Sequence, residues 1–375
     1  MSRPPLRSAA PALLVAVLAA CSSGPILAVP PAARPTSVPV ATPRPAPSDP
    51  VPVVLPRDDA PHHRLTEWWY YTGHLQDEAG GQWGFEFVVF RAERGLLPVS
   101  WASHLAFTDE TRGTFVYDER SEVGPQVDRS AQAEAGFDLA ITGEATVGEQ
   151  LPAWQMRGAE GRDRLLAAIP SGPALDLELR AERPAALHDR DGWLEFGPAG
   201  GSYYYSRTRM SAQGALEVGG RRRAVEGLAW FDHQWGDFIA VGGGGWDWFA
   251  INLDDGTDLT LSLVRDRDGG VALAYGTLVR PTGRSEHLPA DAFTVRSLDE
   301  WTSPTTRVVY PARWRVEVPA EELVIDLEPT VSEQELDTRG STGVVYWEGS
   351  QRVEATRRGE PLGGEAYVEL TGYAG

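Results

Sequence analysis

Cysteine is almost absent. Cys21 is the sole one in 375 residues, which excludes intrachain disulfides, Cys-ligated zinc and two-thiol redox chemistry. No Gly-x-Ser-x-Gly elbow occurs, so lipase-type hydrolysis has no motif in its favour. No His-Glu-x-x-His or other His pair of ligand spacing occurs either, and His62-His63 reads as solvated at the end of a linker. No metal site is therefore expected. Basic residues cluster only at Arg221-Arg222-Arg223 beside Gly219-Gly220, a solvated hairpin end. With 34 basic against 53 acidic residues the formal net charge is −19, which argues against nucleic acid and against electrostatic docking on anionic lipid. Asp254-Asp255-Gly256-Thr257-Asp258 has the carboxylates of a calcium loop without its later Glu, and reads as a hairpin turn. No stretch longer than about ten residues holds a helical apolar period.

What is present begins with an export signal. Residues 1–20 carry only Arg3 and Arg7 as charges, then an apolar run that ends at Cys21, too short for a spanning helix that stays. From Ser22 to Pro56, eleven of thirty-five residues are Pro. Such a segment forms neither helix nor ladder and runs as polyproline II, at ~3.1 Å per residue a reach of about 100 Å. Residues 21–56 thus read as a disordered tether that holds the body off a membrane.

The remainder reads as strands nearly throughout. Glu67 to Gly73, Gln82 to Arg91, Ser100 to Thr108, Phe137 to Val147, Ala174 to Ala181, Ser202 to Met210, Trp246 to Leu253, Thr257 to Arg265, Val271 to Arg280, Arg313 to Val318, Glu322 to Glu328, Gly343 to Glu348 and Glu365 to Thr371 are short and rich in aromatic and β-branched residues. Asp255-Gly256 and Asp268-Gly269 separate adjacent runs as hairpin turns do. The class is all-β, and at this length two antiparallel barrels or sandwiches are expected.

The densest chemistry lies between Arg223 and Asp258. Trp230, Trp235, Trp246 and Trp248, one His and Asp232, Asp237 and Asp247 surround the glycine run Gly242 to Gly245. If Phe231 to Asp237 is extended, the period of two puts Phe231, His233, Trp235 and Asp237 on one face and Asp232 and Gln234 on the other. The glycines suit a hinge or a seam between two bodies. Either these aromatics are core and His233 a buried, satisfied histidine, or they form a pocket at a junction, where pockets tend to lie. Trp68 and Trp69 beside Glu67 are equally open between a ligand wall and a barrel plug. So is Tyr204 between Tyr203 and Tyr205.

Glu67-Trp-Trp-Tyr-Tyr-Thr-Gly73, Trp101 with His104-Leu105-Ala106, Tyr204-Tyr-Ser-Arg-Thr-Arg-Met210, Gly227-Leu-Ala-Trp-Phe-Asp-His-Gln-Trp-Gly236, Gly245-Trp-Asp-Trp-Phe249, and Tyr346-Trp-Glu-Gly349 with Gly364-Glu-Ala-Tyr-Val-Glu-Leu-Thr-Gly-Tyr373 resemble the carotenoid 1,2-hydratase family. They are closest to its secreted, lipocalin-like AttH-like branch. Leu18-Ala-Ala-Cys21 likewise resembles a bacterial lipobox, which implies lipidation of Cys21 and an envelope location, with outer membrane delivery compatible with Ser22. The resemblance implies two lipocalin-like β-barrels packed side by side, residues 57–241 and 242–375, and no cofactor. It also implies an apolar or lipidic ligand, and an export transporter is a further partner it brings into view.

Family hydratases add water to an acyclic carotenoid double bond. Protonating carbon needs a carboxylic acid that keeps its proton at neutral pH, hence one buried in an apolar wall. Indoles can face the cation, and an imidazole can activate water. Asp232 or Asp237 as acid, His233 as base and Trp235 with Trp246 or Trp248 as wall would meet these needs. The family's His-x-Trp pair falls on His233 and Trp235. Glu67, Trp68, Trp69, Tyr204, Trp246, Asp247 and Trp248 are the candidate ligand contacts. A ligand-binding lipoprotein, a hydratase and an interaction module of an export system remain the competing readings. They differ in what the junction holds: an open apolar cavity, the same cavity with a protonated acid, or none.

Overall fold

In the computed structural model the described residues are 49–132, 136–143, 152–196, 200–238 and 243–374. Cys21, the export signal, most of the Pro-rich segment and Gly242 lie outside them. Among the described residues there is no α-helix, only 3₁₀ turns such as Arg57–Asp59.

Two antiparallel sheets account for the rest. The first is built from β1 (Thr66–Asp77), β2 (Gln82–Ala92), β3 (Ser100–Asp109), β4 (Thr114–Val123), β5 (Phe137–Ile141), β6 (Trp154–Ala159), β7 (Arg162–Ala168), β8 (Ala174–Ala181), β9 (Ala186–Leu187), β10 (Trp193–Glu195), β11 (Gly201–Val218) and β12 (Arg221–Gly236). The second holds β13 (Gly243–Leu253), β14 (Asp258–Asp266), β15 (Val271–Val279), β16 (Ser285–Pro289), β17 (Thr294–Thr302), β18 (Val309–Val318), β19 (Leu323–Pro329), β20 (Glu335–Thr338), β21 (Val344–Arg357) and β22 (Glu360–Leu370). The first sheet runs β4-β3-β2-β1-β12-β11-β8-β7-β6-β5, the second β16-β15-β14-β13-β22-β21-β19-β18-β17. All-β architecture with two antiparallel bodies is therefore what the molecule adopts.

The first sheet curls almost into a barrel. Its outer strands β4 and β5 are joined by side chains: Arg120 donates to the carbonyls of Ile141 and Pro152, and Glu122 accepts from the amide of Thr142. Inside lie Trp69, Tyr71, Phe85, Phe87, Trp101, Phe107, Trp154 and Phe231. The second sheet wraps a core of its own around Phe249, Trp314, Ile325 and Trp347. Tight two-residue turns require left-handed backbone, and Gly219 and Gly220 supply it at φ 58° and 72° between β11 and β12. That places Arg221 to Arg223 at a hairpin end, as their sequence suggests.

Strands β11 and β12 are 18 and 16 residues long, far longer than their aromatic ends alone indicate. The distal half of β12, Arg221 to Leu228, is rich in Arg, Gly and Glu because it mostly faces solvent, whereas Met210, Ala212 and Leu216 of β11 alternate into the barrel core. Strands β4, β16 and β17 escape a sequence reading because they are largely exposed, whereas β6 and β7 send Trp154, Met156, Leu165 and Ala167 into the barrel core.

The sheets meet face to face. Tyr70 and Val88 of the first and Trp248, Ala250 and Tyr367 of the second pack together with Trp230. Gly84 allows the approach, since a Cβ there would lie 2.5 Å from the Tyr367 hydroxyl. Buried Asp258 ties the seam, accepting from Arg183 at 3.0 Å, Arg209 at 2.7 Å and Thr208 at 2.8 Å. The acidic Asp254 to Asp258 turn is thus neutralised by arginines.

The last part of the Pro-rich segment is not a free tether. Val53 and Leu55 pack on the barrel core, the amide of Val51 donates to Tyr203 at 2.8 Å, and Asp49 pairs with Arg64 at 2.7 Å. Alternating Val and Leu between prolines give this strap an apolar edge. A chain beginning at Arg57 is expected to fold but to lose roughly 2 kcal/mol for the two half-buried side chains. Chemical denaturation of the two chain lengths checks this, and equal midpoints would show the strap to be energetically idle.

Candidate active site at the sheet junction

Strand β12 decides the layout. In the antiparallel register His233 lies between Trp69 of β1 and Tyr205 of β11, while Asp232 lies between Tyr70 and Ser206. Side chains of directly opposed residues share a face. Phe231, His233 and Trp235 therefore point into the first barrel, and Asp232 and Gln234 point out toward the second sheet.

A cavity of about 490 Å³ lies on that outward side, within the size range of small-molecule sites. Its walls include Trp68, Phe90, Tyr204, Phe238, Trp246 and Trp248, and three acids, Asp232, Glu86 and Glu369, reach it. Trp248 donates to Tyr204 at 3.1 Å, and its ring meets Tyr70 edge-on at 5.3 Å.

Asp232 is held by three donors: Trp230 Nε1 at 2.6 Å and the hydroxyls of Tyr204 and Ser206. Burial outweighs these hydrogen bonds, and its carboxyl is pushed up to about 7. Glu369, which accepts from Trp246 at 3.0 Å, is also pushed up to about 7, first by burial and then by the charge of Asp232. Burial and the neighbouring Glu369 raise Glu86, and burial with Glu369 and Glu86 raises Glu348 behind Tyr70. Oε2 of Glu86 and of Glu348 has no hydrogen-bond partner among the described residues. A group of mutually repelling carboxyls in an aromatic wall keeps protons up to near neutrality.

Two buried histidines stitch this region. His104 meets Tyr346 at 2.7 Å and Ser341 at 3.0 Å. His188 meets Ser206 at 2.7 Å and Thr277 at 2.9 Å. Burial pushes both rings down to about 3, so they are neutral.

The residues singled out from sequence thus fall into separate places. Asp232, Trp68, Tyr204, Trp246 and Trp248 are together at the cavity. His233, Trp235, Glu67 and Trp69 are on the other side of the sheet, inside the barrel, so the expected grouping of Asp232 with His233 and Trp235 is corrected by the strand's alternation. Asp237 lies beyond the end of β12, where it accepts from Arg64 at 2.7 Å, and cannot act with either group. Asp247 faces the second sheet's own core, paired with Arg265 at 2.7 Å and Tyr373 at 2.9 Å. His62 is not solvated: it stacks on Trp235 at 4.1 Å and lies 2.8 Å from Glu67, whereas its neighbour His63 is exposed beside Glu93.

Glu86, Glu348, Glu369, His104 and His188 were missed as site residues. Glu86 carried a usable signal, an acid in an aromatic strand with both faces apolar. Glu348 and Glu369 sit in the terminal motif runs but look like ordinary outward charges.

The AttH-like family model matches residues 46–373. The chain belongs to the AttH-like family. A solved AttH from Nitrosomonas europaea is 30% identical, with 87% of this chain and 98% of that chain covered at a TM-score of 0.74. Kievitone hydratase from Nectria haematococca shares the fold at 16% identity and TM-score 0.66, covering 85% of this chain and 93% of its own. CghA bound to Sch210972 shares it at 14% identity and TM-score 0.51, with 88% and 97% covered. No curated protein matches the chain. In this AttH-like chain the register of β12 between β1 and β11 sets which side chains face the junction.

Proposed function

We propose that the junction cavity takes an apolar, isoprenoid-like molecule and hydrates it by cofactor-free acid catalysis, with Asp232 as the proton source. The observation that carries this reading is a buried acid, pushed up to about 7, in the wall of an aromatic cavity. The hydratase among the fold's relatives supports the same reaction class.

The balance is simple. Asp232 gives its proton, directly or through the Tyr204 hydroxyl, to an alkene carbon. The π electrons form the new C–H bond and leave a tertiary cation facing Trp246 and Trp248, an attraction of roughly 0.5–2 kcal/mol per ring. Water attacks the cation, and the proton it releases returns through Glu369 or directly to the Asp232 carboxylate. Alkene plus water gives alcohol, and the site is reset. His233 takes no part, because it lies across the sheet.

Incubation with an acyclic isoprenoid such as farnesol in ¹⁸O-labelled heavy water tests this. One heavy oxygen and one carbon-bound deuteron per product are expected, and absence of both with binding retained leaves a binding protein only.

We further propose that Cys21 anchors the chain in the cell envelope, on the strength of the lipobox-like run before it. A fatty-acid label should mark the wild type and not Cys21→Ser, and equal label on both would refute the anchor.

A further inference from the structure

The barrel interior holds a second cluster that the junction chemistry does not use. Glu67 of β1, His233 of β12 and His62, which follows the strap beyond the Arg57–Asp59 turn, converge there, with one ligand atom from each lying within 4.8 Å of the other two. His62 Nδ1 is 2.8 Å and His233 Nε2 3.0 Å from the same oxygen, Oε1 of Glu67. Glu67 and His233 are fully buried, and the side chain of His62 is 21% exposed, which leaves one approach from the barrel mouth.

Hydrogen-bond bookkeeping at Tyr205 defines the state of the His233 ring. The Tyr205 hydroxyl donates to Asp59 and accepts from Arg207 at 3.3 Å. Toward His233 Nδ1, 3.3 Å away, it can only accept, so Nδ1 carries the hydrogen. Nε2 of a singly protonated ring is then a bare lone pair aimed at a carboxylate oxygen. Two acceptors facing each other at 3.0 Å call for a cation between them.

His62 presents Nδ1 to Glu67 at 2.8 Å, and its Nε2 faces the Asp58 carboxylate at 3.7 Å, a charge contact beyond hydrogen-bond reach. Metal-binding histidines characteristically direct the far ring nitrogen to a carboxylate, carbonyl or other acceptor that sets the tautomer. Two imidazoles and a carboxylate with one side open form the donor set of a divalent first-row transition ion such as Zn²⁺.

We infer that His62, Glu67 and His233 form a metal site for a divalent transition ion, which fastens the strap across the mouth of the first barrel. The ion would tie the segment carrying His62 to the paired strands β1 and β12, to which His62 is otherwise held at this point by hydrogen bonds from its ring and backbone amide to Glu67 and from Arg91 to its carbonyl. Without a metal the same three atoms share protons, and that is the state the experiment must distinguish.

The test uses the full chain carrying no histidine tag, stripped with a chelator. Zn²⁺ is titrated by calorimetry, Co²⁺ by visible absorption, and melting is followed with and without Zn²⁺. One equivalent is expected, with a low-symmetry Co²⁺ spectrum and a higher melting temperature in the loaded protein. Asp58→Asn should weaken binding by less than about tenfold, since it removes a charge that faces His62 Nε2 at 3.7 Å and no hydrogen bond. His62→Gln should weaken it further. Glu67→Gln and His233→Asn touch the buried core and can fail to fold, so His62→Gln, at the half-open edge, is the deciding variant. No uptake of either ion by the stripped wild type, or uptake unchanged in His62→Gln, overturns the site.

Discussion

Asp232→Asn is expected to lower turnover of an acyclic isoprenoid by ~10²–10⁴-fold, the range for loss of a general acid, while leaving its dissociation constant nearly unchanged. The amide keeps the carbonyl that accepts from Trp230 and Ser206, and it loses the transferable proton. The same variant should alter stability in the opposite sense. Below about pH 4 the carboxyl is protonated in both folded and unfolded chains. Between there and the folded-state value of about 7 the unfolded chain releases the proton and the folded chain keeps it. The folded state then binds more protons, so wild-type stability falls as pH rises through this window. The full loss is on the order of 4 kcal/mol. Asparagine does not titrate, so the melting temperature of the variant should match that of wild type near pH 4 and exceed it near pH 8. Parallel melting curves across pH would show that Asp232 is an ordinary ionised carboxylate and would remove the acid from the proposed mechanism.

Trp248→Ala and Trp235→Ala should separate cleanly. Trp248 is a cavity wall braced by Tyr204, Tyr70 and Trp230. Its loss should weaken binding of an apolar ligand by about 2 kcal/mol or more, roughly 30-fold. Trp235 is in the barrel, stacked between His62 at 4.1 Å and Tyr203 at 5.3 Å. Its loss should cost stability, ~3–5 kcal/mol for a large aromatic in a packed core, and leave ligand affinity alone. Fluorescence titration and chemical denaturation of both variants read the two effects. Weaker binding in Trp235→Ala with unchanged binding in Trp248→Ala would move the site from the junction to the barrel.

How the two tryptophans divide shows what a sequence can and cannot carry. Alternation of apolar and polar residues, the Asp-Gly turns and the missing helical period made the all-β class legible, because each is a local property of a pleated chain. The opposition of His233 and Asp232 was legible for the same reason: a period of two leaves no freedom in an unbroken strand. So was the gathering of Trp246 and Trp248 with Asp232 around one environment, since all three line the junction cavity.

Which face of β12 looks into the barrel, and which onto the second sheet, depended on the curl of the first sheet and on partners hundreds of residues away. Glu348 reaches Tyr70 at 2.8 Å across the seam, and no local pattern announces a contact of that separation. Glu86, Glu348 and Glu369 each read as an unremarkable charge until the sheets close over them. Burial and their mutual repulsion then hold their protons, and neither exists before the sheets meet. His62 shows the converse. Placed by its neighbours in a Pro-rich linker, it read as solvated, yet the strap folds back and lays its ring on Trp235. The residues capable of chemistry were mostly written in the order of the chain, and their environment was set by packing between distant strands.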